Sequence, residues 1–289
     1  MGVIWGIPYL LIKVADQGVA VPVLVLARVG IGALLLLPLA VRRRQLAALR
    51  GHWRWLAGFA LVEIIVPWAA LSDAERRLSS SMSGLLIAAV PIIGLLAARL
   101  TGGAERLTVT RWLGLLAGLA GVALLAGPGA LGGGAWPVAE VMVTALGYAL
   151  GPLVAARKLA GLPGLGVNAV CLSFATVVYA PAAALAWPPA LPQPRVLAAL
   201  AALGAICTAL AFVLFFKLIA EVGPARATVI TYINPAVAVT LGVTVLGEPL
   251  TAEIAASFVL ILAGSILATR SVATGAAQQR PPLPLESPE

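Results

Sequence analysis

One stretch of the chain occurs twice, and any fold must accommodate both copies. Residues 81–108 read SMSGLLIAAVPIIGLLAARLTGGAERLT, and residues 225–251 read ARATVITYINPAVAVTLGVTVLGEPLT. Each copy is apolar with a proline near its middle, Pro91 and Pro235. Each closes on a Gly-containing turn and a Glu-x-Leu-Thr signal, at Glu105–Thr108 and Glu248–Thr251. The prolines lie 144 residues apart and the glutamates 143, so one single-residue gap aligns the pair. Leu119, Ala120 and Gly121 match Leu262, Ala263 and Gly264 further on. The 289 residues therefore divide into two fused halves, 1–130 and 131–270, followed by a tail over 271–289. That tail is rich in Pro, Ser and Gln and is expected to be disordered and solvated.

Composition decides the surroundings. Apolar residues make up 61% of the chain and charged residues only 10%, with a mean hydropathy of +1.04. A soluble domain carries roughly 25% charged residues, so this chain belongs in a bilayer with lipid as its neighbour. A net charge of +8 does not point to nucleic acid, because the basic residues sit between apolar runs rather than on one patch. Cys171 and Cys207 fall in separate apolar segments and read as small core residues. A single histidine, His52, and no Cys/His cluster argue against metal chemistry, and no cofactor is expected. The N-terminus lacks the basic region of a secretory signal peptide, and Gly6 stands where a myristoylation signal needs Ser or Thr.

A membrane helix takes about 20 mostly apolar residues. That measure gives ten spans: 1–17, 22–41, 55–74, 79–100, 108–127, 136–157, 164–187, 196–219, 224–246 and 252–269. Fourteen lysines and arginines fall in the loops on one side of these spans, and only Arg76, Arg77 and Arg195 on the other. The positive-inside rule then puts both termini in the cytoplasm. Five helices per half is an odd number, so the second half enters the membrane upside down. The expected fold is an all-α integral membrane protein of ten helices, built as two inverted five-helix repeats. Span one is short, and aligning Lys13 with Lys158 sets the start of span six opposite a position before Met1. This predicts a natural start upstream, or a first helix that begins below the membrane surface.

Trp5-Gly6 followed by Ile12-Lys13, Ala27-Arg28 leading into a Leu-rich second span, the paired prolines and the Glu-x-Leu-Thr turns form a pattern. It resembles the EamA-type branch of the drug/metabolite transporter superfamily over about residues 1–270. The resemblance implies a ten-helix carrier with alternating access, with helices five and ten at the periphery and the other eight around a central cavity. The implied substrates are small metabolites, often amino acids leaving the cell. The first repeat departs from the pattern with Ala104-Glu105 where the second has Gly247-Glu248.

Several residues are candidates for the chemistry. A proline inside a helix removes one hydrogen bond and frees a carbonyl, which in lipid must be met by protein or by a water-filled cavity. Paired interruptions in two halves are a pointer to a transporter site, which singles out Pro91 and Pro235 as cavity lining or hinge. Tyr232 and Asn234 add polar groups at the depth of Pro235, where the first repeat has Ala88 and Val90. Glu63 lies eight residues into span three, about 12 Å deep at 1.5 Å per residue. An ionisable group there faces a cavity or a partner and makes proton coupling possible. Lys13 and Arg28 are placed to bind an anionic group such as a carboxylate, or else to snorkel or to pair with Asp16. Trp5, Trp68 and Tyr148 either line an aromatic-tolerant cavity or pack in belt and core. Glu105 and Glu248 read as helix caps or gate contacts. Gly114 and Gly118 form a GxxxG pair that permits close helix contact, a homodimer included.

So small a polar inventory suits a small, partly apolar solute rather than a large polyanion. No G-x-x-x-x-G-K-[ST] loop occurs, so transport would draw on a gradient. Two other classes compete with the carrier. An integral-membrane enzyme acting on lipid or prenyl groups would need clustered Asp, His or metal-binding carboxylates, and the acidic residues here are scattered. A non-transporting assembly subunit is the other.

Overall fold

A computed structural model describes residues 1–100, 108–125, 134–222 and 233–269. The described residues form helices and turns without a strand. In chain order the helices are α1 (Gly2–Gly6), α2 (Pro8–Ala15), α3 (Val21–Arg42), α4 (Trp53–Ala60) and α5 (Val66–Ala74). Next come α6 (Ser80–Ile87), α7 (Val90–Leu100), α8 (Val109–Leu125), α9 (Ala135–Lys158) and α10 (Gly164–Leu185). The last four are α11 (Pro194–Gly204), α12 (Ala211–Val222), α13 (Asn234–Leu246) and α14 (Ala252–Thr269). Five stretches are long and apolar enough to cross a bilayer: Val21–Arg42, Ala47–Ala74, Ala135–Lys158, Gly164–Leu185 and Pro194–Phe215. Five shorter apolar stretches accompany them, Gly2–Ala15, Ser80–Gly94, Val109–Leu124, Asn234–Leu246 and Ala252–Leu267.

The chain turns the soluble pattern inside out. Leu34, Leu116, Val177 and Val259 are exposed, whereas Arg28, Glu75, Ser80, Ser83 and Thr208 are buried. Such an outer surface is met by lipid, and the buried polar groups must find partners inside the bundle. Proline opens α2, α3, α11 and α13, where its missing N–H costs no intrahelical bond and its fixed φ suits the first turn. Thr108 and Thr251, which end the two Glu-x-Leu-Thr signals, accept bonds from the first-turn N–H groups of Arg111 and Ile254. They are the caps of α8 and α14.

The span expected over 79–100 is two helices. It breaks at Ala88 and Ala89, and Pro91 is the second residue of α7 rather than an interior kink. Pro235 is likewise the second residue of α13. The carbonyl of Ala88 at the first break accepts the Ser265 hydroxyl at 2.9 Å, which supplies the partner that lipid cannot.

Helices α3 and α10 pack along their lengths, as do α8 and α14, α5 and α9, α6 and α13, and α2 and α11. The α8–α14 contact is a close backbone approach. A β-carbon on Gly264 would fall 2.4 Å from the Gly118 nitrogen and 2.7 Å from the Gly114 carbonyl oxygen. The GxxxG face expected to permit a homodimer is thus spent on α14 of the same chain. Replacing Gly264 by valine should cost about 1–3 kcal/mol by overpacking against backbone that cannot yield. Gly58→Ala, where nothing lies within 4 Å, should leave the melting temperature in detergent unchanged.

Candidate functional site

Two rods of the bundle are interrupted by a single π-turn each, Leu61–Ile65 between α4 and α5 and Ala205–Leu210 between α11 and α12. These turns begin 144 residues apart, the separation of the paired prolines. The first has a local cause. Pro67 has no N–H to give the Glu63 carbonyl, and the Val66 N–H reaches back five residues to Leu61. Carbonyls beside the turn are also met from other helices: Tyr179 donates its hydroxyl to Ile65 and Thr144 donates to Pro67 at 3.0 Å. In the second turn the Thr208 hydroxyl donates to the Leu203 carbonyl, five residues back, at 2.8 Å. π-Turns inside α-helices are frequent at functional sites.

Both turns lead to the same buried cluster. Thr208 accepts Nε of Arg28 at 3.3 Å, and the guanidinium lies 3.7 Å from the centre of the Trp68 ring. Cation–π contact of this kind is strongest where water is excluded, and Arg28 and Trp68 are both buried. The Nη atoms of Arg28 donate to no described residue. Tyr9 from α2 and Tyr148 from α9 are within electrostatic reach of Arg28 and of each other. Glu63, on the first π-turn, reaches the cluster through Tyr148. Its Oε2 is buried with no hydrogen-bond partner among the described residues. A β-carbon on Gly151 would fall 1.8 Å from that oxygen, so the glycine is what admits the carboxyl between α9 and the turn.

The end of the bundle that carries Arg76 and Arg77 is tied together by charge. Lys13 donates to the main-chain carbonyl of Glu75. Arg76 pairs with Asp16 at 3.2 Å, and Arg77 bridges Asp73 and Glu140, the latter at 2.9 Å. Glu248 crosses to another helix. Gly247 adopts a left-handed conformation, φ +69°, and the Glu248 N–H bonds to the Gly242 carbonyl at 3.0 Å. The carboxylate then accepts Ser80 N–H at 2.6 Å, Ser81 N–H at 2.9 Å and the Ser81 hydroxyl at 2.5 Å. An anion here meets both the free amides and the positive end of the α6 dipole. Glu248 is a cap, as the sequence suggests, but of α6 rather than of the helix that follows it.

Of the remaining candidates, Arg28, Trp68 and Tyr148 come together, and Lys13 lies one contact away through Glu75. Trp5 is elsewhere, packed on Phe215 at 4.8 Å and on Phe212 at 6.2 Å. Asn234 and Pro235 begin α13, and the Asn234 carbonyl would lie 3.0 Å from a β-carbon on Gly6. Tyr232 and Glu105 lie outside the described residues. Glu75 and Tyr9 are the cluster members that sequence reasoning passed over. Glu75 sits in the polar run Asp73–Arg77, which reads as a solvated loop, yet it is fully buried with both carboxylate oxygens unpartnered among the described residues. A cleft of about 570 Å³ between α3 and α11, bounded by Val23, Ala27, Trp187 and Leu197, has only apolar walls and is separate from this cluster.

Residues 1–127 and 136–270 each match the model of the EamA-like transporter family. The chain belongs to the EamA-like transporter family. An uncharacterized inner membrane transporter of Escherichia coli K12, YedA, is 31% identical over 255 residues, spanning 86% of this chain and 81% of its own length. The protein of the same description from Escherichia coli O157:H7 matches equally. A chain of known crystal structure shares the fold, with a TM-score of 0.67 at 22% identity over 93% of this chain and 94% of its own. This EamA-like protein is therefore a membrane transporter, set in lipid and acting on a small molecule.

Two outcomes follow from the capped, charged end of the transporter. Glu248→Ala leaves buried α6 donors unmet and should lower stability by about 1–3 kcal/mol, read by denaturant titration in detergent. Burial pushes the Glu75 carboxyl well above its ordinary value, against the pull of Lys13 and with a push from Glu248. A carboxyl raised in the folded state contributes stability that is fully present below its unfolded value and lost as pH rises through the folded one. The wild-type melting temperature should fall across that rise, and Glu75→Gln should flatten the fall.

Proposed function

We propose that this EamA-like protein is a secondary active transporter working by alternating access, exporting amino acids or related small metabolites across the cytoplasmic membrane. The observation that carries the reading is Arg28. It is buried, its Nε is fixed by Thr208 and its face by Trp68, and its Nη edge engages no described residue. A guanidinium held in that way matches a carboxylate in a bidentate pair, and the Tyr9, Trp68 and Tyr148 rings suit the apolar part of a solute.

Alternating access follows from an inverted repeat of ten helices over 1–130 and 131–270, with both termini cytoplasmic. Several observations support that repeat. One family model matches each half, the π-turns fall at equivalent places, and Pro91 and Pro235 each begin a half-helix. The packing is also consistent with it. Taken as whole spans, a shift of one repeat maps the contacts of span two with seven, four with nine and five with ten onto themselves, and exchanges that of three and six with that of one and eight. In this reading the Glu248–α6 cap closes the outer face, and its release opens the path to Arg28. Glu63 is the proposed coupling group, a carboxyl with a buried, unpartnered oxygen on an interrupted helix.

Counterflow of a radiolabelled amino-acid and metabolite panel in proteoliposomes tests the assignment. Arg28→Lys keeps the charge and loses the planar fork, so kcat/KM should fall by about 10-fold or more, the equivalent of about 1.4 kcal/mol. Glu63→Gln should reduce the dependence of transport on pH while leaving binding measurable. Saturable transport that is unchanged in both variants would refute these roles.

A further inference from the structure

Glu75 stands out among the buried carboxyl groups. Neither of its oxygens has a hydrogen-bond partner among the described residues, although two cations are close by. Both cations are committed elsewhere. Lys13 bonds to the main-chain carbonyl of Glu75 rather than to its carboxylate, and Arg28 is held by Thr208 and Trp68. The other titratable groups that face Glu75 are Asp16 from the end of α2, Tyr9 from α2, Tyr148 from α9 and Glu248 from the turn before α14. None of them hydrogen-bonds to it. A buried carboxylate without a donor is strongly disfavoured, so the group needs either a proton of its own or a donor brought by a ligand.

The surroundings narrow that ligand. An ionised Glu75 offers two buried acceptor oxygens, with Tyr9 and Tyr148 within electrostatic reach. Arg28, within electrostatic reach of the same carboxyl, offers donors for an anion. We propose that Glu75 is a substrate-binding residue whose carboxylate accepts the ammonium group of a solute held at its anionic end by Arg28, and that a proton occupies Glu75 when the solute leaves. This rests on the reading of Arg28 as the anion anchor. The exchange balances: an arriving ammonium displaces one proton to solvent, a departing one is replaced by one proton, and the charge around Glu75 stays constant. Glu63 takes no part in this step.

A hydrophobic carbodiimide adds across a protonated carboxyl, and peptide mass spectrometry of the purified full chain reads where it has added. Glu75 should be labelled in the absence of solute. A mixture of the proteinogenic L-amino acids with primary alkylamines should reduce that labelling several-fold, and the N-acetylated amino acids should not. Glu75→Asp should keep both the labelling and the protection. Resistance of Glu75 where Glu63 is labelled, indifference to the amines, or equal protection by the N-acetylated set would each overturn the assignment. A chain that transports in counterflow while Glu75 fails these tests loses only this assignment. A chain that passes them yet moves nothing overturns the transport reading instead.

Discussion

Lipid offers no hydrogen bonds, so every break in a helix of this protein has to be repaired from within the bundle. Unmet groups of this kind cost several kcal/mol each in hydrocarbon. The repairs are specific and come from distant parts of the chain. Ser265 answers Ala88, Tyr179 answers Ile65, Thr144 answers Pro67, and Glu248 answers Ser80 and Ser81. Each repair fixes the position of one helix against another. The polar groups that remain after the repairs, chiefly Arg28, Glu63 and Glu75, are the ones we propose to meet a solute. The site is thus what the backbone leaves over once its own demands are met.

Much of this was legible in the sequence. The duplicated stretch, the paired prolines and the ten apolar runs need only periodicity and composition, and Arg28 and Glu63 announce themselves as charges inside apolar runs. The π-turns were not legible. Pro67 is a sufficient cause for the first only once Val66 is known to bond to Leu61, and Ala205–Leu210 contains no proline at all. Glu75 was hidden for a different reason. Its neighbours Asp73, Arg76 and Arg77 make outward ion pairs, and a one-dimensional window cannot separate a carboxyl pointing inward from three charges pointing out. Trp5, which the sequence leaves open between cavity lining and packing, has its ring on Phe212 and Phe215 and not on the cluster.

The electrostatic layout follows from packing rather than from charge count. Arg28 is tolerated inside because Trp68 and Thr208 replace its water, and Lys13 because a main-chain carbonyl accepts its ammonium. With both cations hydrogen-bonded to neutral partners, neither forms an ion pair with Glu75 or Glu63. The cluster therefore keeps donors and acceptors that a simple buried ion pair would have consumed. Small residues make this possible. Gly151 leaves room for Glu63, and Gly242 leaves room for Glu248 and Ser81 where a β-carbon would sit 2.3 and 2.4 Å from their oxygens.

The reach of Glu248 across 168 residues to Ser80 also bears on how the chain is made. Synthesis runs from the N-terminus, so α6 is threaded into the bilayer long before its capping carboxylate leaves the ribosome. Until then its amino end has to stay near the headgroups, where water can serve the exposed amides. The first half consequently cannot complete its hydrogen bonds until the second half arrives, first Glu248 for the α6 amides and after it Ser265 for the Ala88 carbonyl.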